Sequence, residues 1–297
     1  MNKLVFIALS LTLAACQQDT KNLERKIDDL TKNQQKMMEM LAKGGGGGGA
    51  GAGQQRPARQ EPDRAKTYAV PVDNDAFEGP ADAKITLVKA YDYACPYCEK
   101  VRPTMAELRQ KYGNDIRIVS KQMVVHPNNA MAGALAFCAA NKQGKAKEMD
   151  ALIWDKGFKQ RQLDNSAVAA APEAAPGSPP APGGGSKCWD VAAGCPLVVG
   201  YATELGLNVD KFKTDMKGEC MAVVQKDMKD LQQLGVGATP SFFVNGRFLS
   251  GAMPVENFSA LIDEELKKAN ERIQQGTPAA EYYQQWVIAK GQKTLGG

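Results

Sequence analysis

Two cysteines separated by two residues, Cys95 and Cys98, lie between a predicted strand and a predicted helix. The residues before the motif, 85–91, are β-branched and apolar enough for a buried strand. Apolar residues then recur at three- and four-residue spacing over 101–112, as on one face of a helix. This order places Cys95 at a helix N-terminus, where unpaired backbone N–H groups lower the pKa of a thiol. We therefore predict that Cys95 is an exposed attacking thiolate and that Cys98 is the resolving thiol.

A zinc site and an inert structural disulfide are the other uses of such a motif. A four-ligand zinc site needs a second pair of ligands, but the chain has no second C-x-x-C, and His126 is its only histidine. We therefore predict no metal and no cofactor. An inert disulfide stays open at this point, although it leaves the sequence features further along the chain unexplained.

The N-terminus has the pattern of an export signal. A short positive segment precedes an apolar run, 4–12, that is too short to span a membrane comfortably. The tetrapeptide Leu-Ala-Ala-Cys at 13–16 resembles a bacterial lipobox, which implies a signal peptide over 1–15 and a diacylglycerol group on Cys16. An ordinary signal peptide is the alternative. Because Gln17 follows the cysteine, the same resemblance favours the outer over the inner membrane, and we predict a lipid-anchored periplasmic protein.

The cysteine count fits an oxidising compartment. Of the seven cysteines in the chain, six follow Cys16, an even number. With the C-x-x-C pair set aside, the other four allow three connectivities. Proximity in the sequence favours Cys188 with Cys195, which leaves Cys138 to join Cys220 between two predicted helices.

The segment after the lipidation site has a heptad pattern. Residues 22–43 are charged, lack Gly and Pro, and carry a seam at alternating four- and three-residue steps from Leu23 to Leu41. A helix this short is unstable alone in water. We therefore predict that 16–43 combines lipid attachment with a coiled-coil helix that makes the protein a homo-oligomer; a solvated spacer is the alternative. Residues 44–66, rich in Gly and Pro, are predicted to form a flexible linker.

The remaining residues, 67–293, have the pattern of an α/β domain with an all-helical insertion. A second strand follows the redox helix, and helical periodicity then extends over about 127–234. Within it, 167–186 is almost entirely Ala, Pro, Gly and Ser and is predicted to be a disordered loop. Apolar runs on both sides of Asn245-Gly246 predict a β-hairpin, which a final long helix follows.

The charge of the chain argues against one class of partner. The formal net charge is only +4, and no dense basic run is interleaved with aromatic residues. Proteins that bind nucleic acid usually carry such a basic footprint. We therefore predict no nucleic-acid partner.

Two motifs, in this order, carry a resemblance. Cys-Pro-Tyr-Cys at 95–98 and Thr-Pro at 239–240, with about 140 mostly helical residues between them, resemble the DsbA family of thioredoxin-fold thiol-disulfide oxidoreductases over roughly 68–290. The resemblance implies a thioredoxin fold, a cis peptide bond before Pro240, and pairing of the Thr239 backbone with an extended substrate. The site residues that it implies are the catalytic pair Cys95 and Cys98 and the supporting residues Pro96, Tyr97, Thr239 and Pro240.

Two details of these motifs bear on the direction of exchange. Tyr97 stands where the dedicated oxidase has a histidine, which implies a less stabilised thiolate and a less oxidising disulfide. Thr239 is similar to the corresponding residue of the isomerases DsbC and DsbG, and an oligomerising segment before a DsbA-like domain is similar to ScsC. We therefore predict an isomerase or reductase; a net oxidase, or a lipid-anchored client-binding protein with secondary redox activity, are the alternatives.

The resemblance also implies partners and one departure. The partners are unfolded or misoxidised exported proteins that contain cysteine, and a membrane redox protein of the DsbB or DsbD kind. Many family members have a buried acidic residue six positions before the first cysteine, but this chain has Lys89. A buried lysine would be neutral or paired, and it would favour the thiolate rather than accept a proton from Cys98.

Overall fold

A five-stranded mixed sheet organises the part of the chain that the computed structural model describes, residues 61–73, 75–163 and 187–296. Its strands, numbered along the chain, are β1 (Phe77–Glu78), β2 (Ile85–Tyr91), β3 (Ile116–Gln122), β4 (Ser241–Val244) and β5 (Arg247–Ser250). The order across the sheet is β1-β3-β2-β4-β5, with β2 parallel to β3 and the other neighbouring pairs antiparallel. A mixed sheet of this kind, with helices packed on it, is the arrangement of a thioredoxin fold.

Several predictions fall on other residues. The signal peptide 1–15, the lipidated Cys16, the coiled-coil helix 16–43 and the loop 167–186 lie outside the described residues. So does the linker up to residue 60.

The predicted linker, 44–66, extends too far toward the C-terminus. Pro62 is buried, and the Arg247 side chain of β5 donates a hydrogen bond to the carbonyl oxygen of Arg64 at 2.7 Å. The backbone N–H of Asp63 donates to the Tyr68 hydroxyl at 2.8 Å. A polar, proline-bearing composition resembles a linker even where the backbone is held against an edge strand, so these last residues belong to the folded part.

The helices that connect β2 to β3 are α1 (Pro96–Lys100) and α2 (Arg102–Tyr112). They are separated at Val101, because Pro103 has no N–H to donate to the carbonyl of Glu99 one turn earlier. Met105 and Leu108 of α2 face the sheet and pack against Leu87 of β2. Because β2 is the central strand and is almost wholly buried, the loop at its C-terminal end is held firmly.

Between β3 and β4 the described residues contain five α-helices, in the segment predicted to be helical. They are α3 (Pro127–Asn141), α4 (Ala146–Leu152), α5 (Pro196–Glu204), α6 (Val209–Lys217) and α7 (Glu219–Gln233). A π-helical turn, Ile153–Phe158, extends α4. These helices share a core in which the small side chains of α3 allow close approach, as where Gly133 lies against the ring of Tyr93.

Helices cover both faces of the sheet. Helix α8 (Val255–Gln274) packs with α2 on one face, around Leu87 and Phe242, and α7 packs on the other, around Val88 and Phe243. A short helix, α9 (Ala279–Tyr282), follows near the C-terminus. Among the described residues, no helix is both long enough and apolar enough to cross a bilayer.

Candidate active site

The C-x-x-C motif begins helix α1 directly after the central strand. Cys95 is the N-cap residue, with an extended backbone, and Pro96 occupies the first helical position, where a missing N–H costs nothing. The N–H groups of Cys98 and Glu99 donate to the carbonyl oxygen of Cys95 at 3.1 and 3.3 Å. Both cysteines are free thiols in this structure. The local sequence therefore places two thiols within the first turn of one helix.

The prediction of an exposed Cys95 is wrong. Cys95 is only 5% exposed and Cys98 only 3%. The segment before β4 covers the first cysteine, whose sulfur lies 3.3 Å from the carbonyl oxygen of Thr239 and can donate a hydrogen bond to it only as the protonated thiol. The surface beside the pair is formed instead by Tyr97, which is 60% exposed.

The two thiols differ strongly in acidity. A hydrogen bond from the Cys98 thiol lowers the pKa of Cys95 most; the Thr239 side chain and the N–H groups of Cys98 and Tyr97 lower it further. Against the opposing effect of burial, they bring the pKa of Cys95 to about 5. Burial raises the pKa of Cys98 far above its ordinary range, and the hydrogen bond to Cys95 adds to that shift. At neutral pH, Cys95 is therefore the thiolate and Cys98 the protonated thiol.

Thr239 and Pro240 lie against this pair. The peptide bond between them is cis. The Thr239 hydroxyl is buried and makes no hydrogen bond among the described residues, and its position beside the two thiols lowers the pKa of both. The next residue, Ser241, anchors the loop by donating to the carbonyl oxygen of Ala238 at 2.8 Å. The sequence therefore brings residues about 140 positions apart into one site.

Asp92 fixes the loop under the redox pair. Its carboxylate is fully buried and accepts hydrogen bonds from the backbone N–H groups of Ala94, Val125 and His126 at 2.6 to 2.7 Å. The His126 ring lies 3.2 Å from the same carboxylate. With its oxygens used in this way, Asp92 joins the end of β2 to the loop after β3.

Lys89 does not meet the expectation for a buried lysine. Its side chain is half-buried, and its ammonium group lies 4.7 Å from the centre of the Tyr91 ring. Glu99, which lines the same pocket as Lys89, is paired instead with Lys159 at 3.6 Å. Lys89 therefore has no carboxylate partner among the described residues, although it lies on the same side of the sheet as Cys98.

Behind the pair is a network of tyrosines that sequence reasoning missed. The Tyr91 and Tyr93 hydroxyls are 2.9 Å apart, and Tyr93 donates to Asp150 at 2.8 Å. Gln122 donates to the Tyr91 hydroxyl at 2.9 Å, and Trp154 packs on the Tyr93 ring. The pair Tyr91 and Tyr93 shortly before the motif is the sequence signal of this network, but Tyr93 follows the end of β2 in a turn, so strand alternation does not predict their contact.

The four remaining cysteines form two disulfides away from the redox pair. Cys138 on α3 joins Cys220 on α7, and Cys188 joins Cys195 at the start of α5, which are the pairs that sequence proximity favours. Both bonds lie in the core shared by the helices between β3 and β4. In the described residues, no group of three or more His, Cys, Asp or Glu side chains is placed to hold a metal ion.

Comparison with known proteins identifies the thioredoxin fold in this chain. A family model described as thioredoxin matches residues 72–264. The crystal structure of Wolbachia pipientis alpha-DsbA1 superposes with a TM-score of 0.50 at 16% identity, over 69% of this chain and 96% of that one. The catalytic domain of Proteus mirabilis ScsC superposes with a TM-score of 0.46 at 18% identity, over 67% and 93% of the two chains.

Curated proteins that match the chain are much longer. The Na(+)/H(+) antiporter NhaA of Herminiimonas arsenicoxydans is 27% identical over 190 residues, which are 64% of this chain and 25% of the antiporter. The chain thus spans about a quarter of the length of the curated relatives it matches. The antiporter name belongs to those whole proteins, and the similarity concerns only the matched quarter.

Proposed function

The chain belongs to the thioredoxin family and has the fold of its DsbA-type thiol-disulfide oxidoreductases, and from that premise we propose that it exchanges disulfides in exported proteins through Cys95 and Cys98. The observation that carries the proposal is the asymmetry of the pair. The pKa of Cys95 is lowered to about 5, while that of Cys98, three residues away, is raised. The Cys95 sulfur is suited to attack and to leave, whereas Cys98 stays protonated until it resolves the mixed disulfide.

The exchange cycle follows from this asymmetry. In the oxidised form, a substrate thiolate attacks the Cys95 sulfur, the Cys95–Cys98 bond breaks, and Cys98 departs as a thiolate and takes up a proton. A second substrate thiolate attacks the substrate sulfur of the mixed disulfide, and Cys95 leaves as a stable thiolate. In the reverse direction, the Cys95 thiolate attacks a substrate disulfide. Cys98 then loses its proton and resolves the mixed disulfide, or a second substrate thiolate does so and the substrate is isomerised.

The substrate is expected to lie across Tyr97 and Thr239. Tyr97 offers an exposed aromatic ring next to Cys95, and the carbonyl oxygen of the half-buried Thr239 lies 3.3 Å from the Cys95 sulfur. An extended peptide between them would present its cysteine to Cys95 while its backbone pairs with Thr239. Such contacts use main-chain groups, so they can form with substrate proteins whose sequences are unrelated.

Isomerase or reductase activity is the direction that the sequence supports. Thr239 before the cis proline and the predicted coiled coil over 22–43 both favour it, because several sites around one volume can attack a misoxidised client repeatedly. One observation favours net oxidation instead. A Cys95 pKa of about 5 stabilises the dithiol form, and a stabilised dithiol makes the disulfide a stronger oxidant.

Refolding of ribonuclease separates these directions. The mature protein, with and without residues 21–43, is given either scrambled or fully reduced ribonuclease, and recovery of ribonuclease activity is followed. Rescue of the scrambled form that is lost on truncation supports an oligomeric isomerase. Oxidation of the reduced form without rescue of the scrambled form supports an oxidase. Absence of both activities would contradict disulfide exchange as the function.

A client-binding protein with secondary redox activity is distinguished by one substitution. Suppression of aggregation of an unfolded client should survive Cys95→Ser if holding is the main activity, whereas exchange should vanish. Under our proposal the variant instead accumulates no mixed disulfide through residue 95 and loses its effect on client folding. Preserved rescue of scrambled ribonuclease by the variant would rule out the exchange mechanism.

We also propose that the protein works in the periplasm, anchored to the outer rather than the inner membrane by a lipid on Cys16. A membrane redox protein of the DsbB or DsbD kind would recharge the pair. Incorporation of labelled palmitate into the wild-type chain, compared with Cys16→Ser, tests the anchor, and membrane fractionation tests its location. Equal labelling of the two chains would rule out Cys16 as the attachment site.

A further inference from the structure

A pocket of about 570 Å³ lies between α2, α4 and the sheet, on the inner side of the redox pair. Cys98 and Pro240 line it at one end, and Lys89 projects into it from β2. Cys95, which reacts with substrate in the proposed cycle, is not part of its lining. Sites for small organic ligands measure roughly 300–1,000 Å³ and are mostly apolar with a few polar groups, so the pocket has the size of a ligand site.

The lysines around the pocket differ in whether a carboxylate neutralises them. Within the described residues, Lys89 has no carboxylate within ion-pair distance and makes only the cation–π contact with Tyr91. The other charged side chains of the lining all have partners. These contacts are Arg102 with Asp155 at 2.9 Å, Lys159 with Asp155 at 3.0 Å and with Glu99 at 3.6 Å, Lys147 with Glu78 at 3.8 Å, Arg109 with the carbonyl oxygens of Gly113 and Ile116, and Asp150 with the Tyr93 hydroxyl.

The walls around this cation are apolar. Met105 of α2, Trp154 beyond α4 and Phe242 of β4 are all buried and line the same space. An ammonium group beside such surfaces is poorly hydrated, and its attraction for an anion is stronger than at an open surface. A ligand that places an apolar body against these walls and an anionic end at Lys89 would satisfy both features.

We propose that this pocket binds a small amphipathic monocarboxylate, with its apolar part against Met105, Trp154 and Phe242 and its carboxylate on the Lys89 ammonium. The Lys89 ammonium, which has no carboxylate partner among the described residues, matches a single negative charge. Phosphate esters are usually held by several donors together, such as forked arginines or a helix N-terminus, and the arginines here are already engaged. Because Cys95 is not in the lining, the ligand site goes beyond the exchange function and does not depend on it.

Titration calorimetry with two matched probes tests the proposal. The reduced full chain is titrated with 4-phenylbutyrate and with 4-phenylbutanol, which share the apolar skeleton but differ in charge. We expect the acid to bind more tightly than the alcohol. In Lys89→Met the affinity for the acid should fall about tenfold or more, while the affinity for the alcohol stays the same. Lys100→Met, an exposed lysine at the end of α1 outside the pocket, is the matched control and should bind both probes like the wild type.

A second variant fills the space without touching the cation. Ala106 is exposed on α2 and borders the pocket, so Ala106→Trp places an indole ring in it and should abolish binding of the acid. Circular dichroism melting verifies that each variant is folded. Binding of the acid should persist in Cys95→Ser, which blocks disulfide exchange at a residue outside the pocket lining, and this separates the site from exchange. The proposal is overturned if the acid fails to bind the wild type at millimolar concentration, binds Lys89→Met unchanged, or binds Ala106→Trp unchanged.

Discussion

Cys95-Pro96 and Cys195-Pro196 begin helices α1 and α5 with almost the same backbone, yet their chemical fates are opposite. Cys95 has φ −86° and ψ 117°, and Cys195 has φ −85° and ψ 110°, each with proline at the first helical position. The first is a thiol in a redox pair, and the second is locked in a disulfide. The helix N-terminus is common to both, so it does not by itself make a cysteine reactive.

The difference lies in the partner and in what surrounds it. The partner of Cys95 is Cys98 in the same helix, and Thr239 lies against both thiols. The partner of Cys195 is Cys188, seven residues earlier, and both are buried among the side chains of the helical core. A reactive pair therefore requires a second thiol within one helical turn and polar groups from a distant segment that stabilise one thiolate.

Replacing the N-cap cysteine in each helix should give the largest difference in the rate of disulfide exchange. Cys95→Ser is expected to lower the rate of disulfide exchange by about three orders of magnitude or more, because a hydroxyl cannot form the mixed disulfide. Cys195→Ser should retain exchange and lose only stability. Both are measured with a peptide disulfide substrate. Similar loss of exchange in the two variants would mean that the helical core contributes to the chemistry.

The two structural disulfides should differ in their contribution to stability. Cys138–Cys220 closes a loop of 82 residues and Cys188–Cys195 one of 7. On the chain-entropy estimate, replacing the first pair by alanines lowers the free energy of unfolding by about 4–5 kcal/mol and replacing the second by about 2 kcal/mol. Urea denaturation of the oxidised proteins measures both. A larger loss from the short loop would show that local strain or packing dominates over loop entropy.

The redox pair, unlike the structural disulfides, should make stability depend on pH. The pKa of Cys95 is about 5 in the folded dithiol, below its ordinary value of 9.0. The stabilisation is therefore present above pH 9, and it diminishes as the pH falls and is lost as it passes through 5. Between these limits, the dithiol should gain up to about 1.4 kcal/mol per pH unit over the disulfide form, in which Cys95 does not titrate. Urea unfolding of both forms at pH 5.5 and 8, with only this pair reduced, measures the gain, and a difference that is independent of pH would contradict it.

A buried carboxyl group should make stability depend on pH in the opposite direction. Lys121 lies 2.7 Å from Asp75 and 2.6 Å from Asp227, and all three are buried. Burial, with the nearby charge of Asp227, raises the pKa of Asp75 to about 7. A raised carboxyl pKa means that stability is lost as the pH rises through 7, in both redox forms alike. Asp75→Asn should flatten this decline in a urea series from pH 4 to 8 and leave the difference between the redox forms unchanged; an unaltered decline would assign it to another group.

Sequence predicted the elements of the site better than its electrostatics. The buried run before Cys95, the helix after it and the hairpin at Asn245-Gly246 all follow local patterns, and the structure has them. The pKa of Cys95 is lowered further than the residues between the two cysteines predict, since Tyr97 there implies a less stabilised thiolate. The largest contributions come from the Cys98 thiol and from Thr239, whose approach depends on tertiary folding.

Burial was the other feature that local patterns did not predict. Cys95 was expected to be exposed because helix N-termini usually are, but Thr239 covers it. The half-buried state of Lys89 depends on the pocket between α2 and α4, and no periodicity reveals a pocket. The contacts of residues 61–66 with β5 likewise join segments more than 180 residues apart. Each miss concerns a surface that forms only when distant segments meet.

The smallest expected effect isolates what Thr239 adds to a helix N-terminus. Thr239→Val keeps the shape of the side chain but removes the buried hydroxyl, which lowers the pKa of Cys95 and has no other partner among the described residues. We expect the pKa of Cys95 to rise by about one unit, the equivalent of roughly 1.4 kcal/mol, read from thiolate absorbance at 240 nm. Thr203→Val, in the helix that Cys195 begins, is the matched control, since its hydroxyl bonds only to Val199 of that helix. If Thr239→Val leaves the titration of Cys95 unchanged, the helix N-terminus and the Cys98 thiol are sufficient for the low pKa, and the contrast between the two Cys-Pro helices depends on the position of the second cysteine alone.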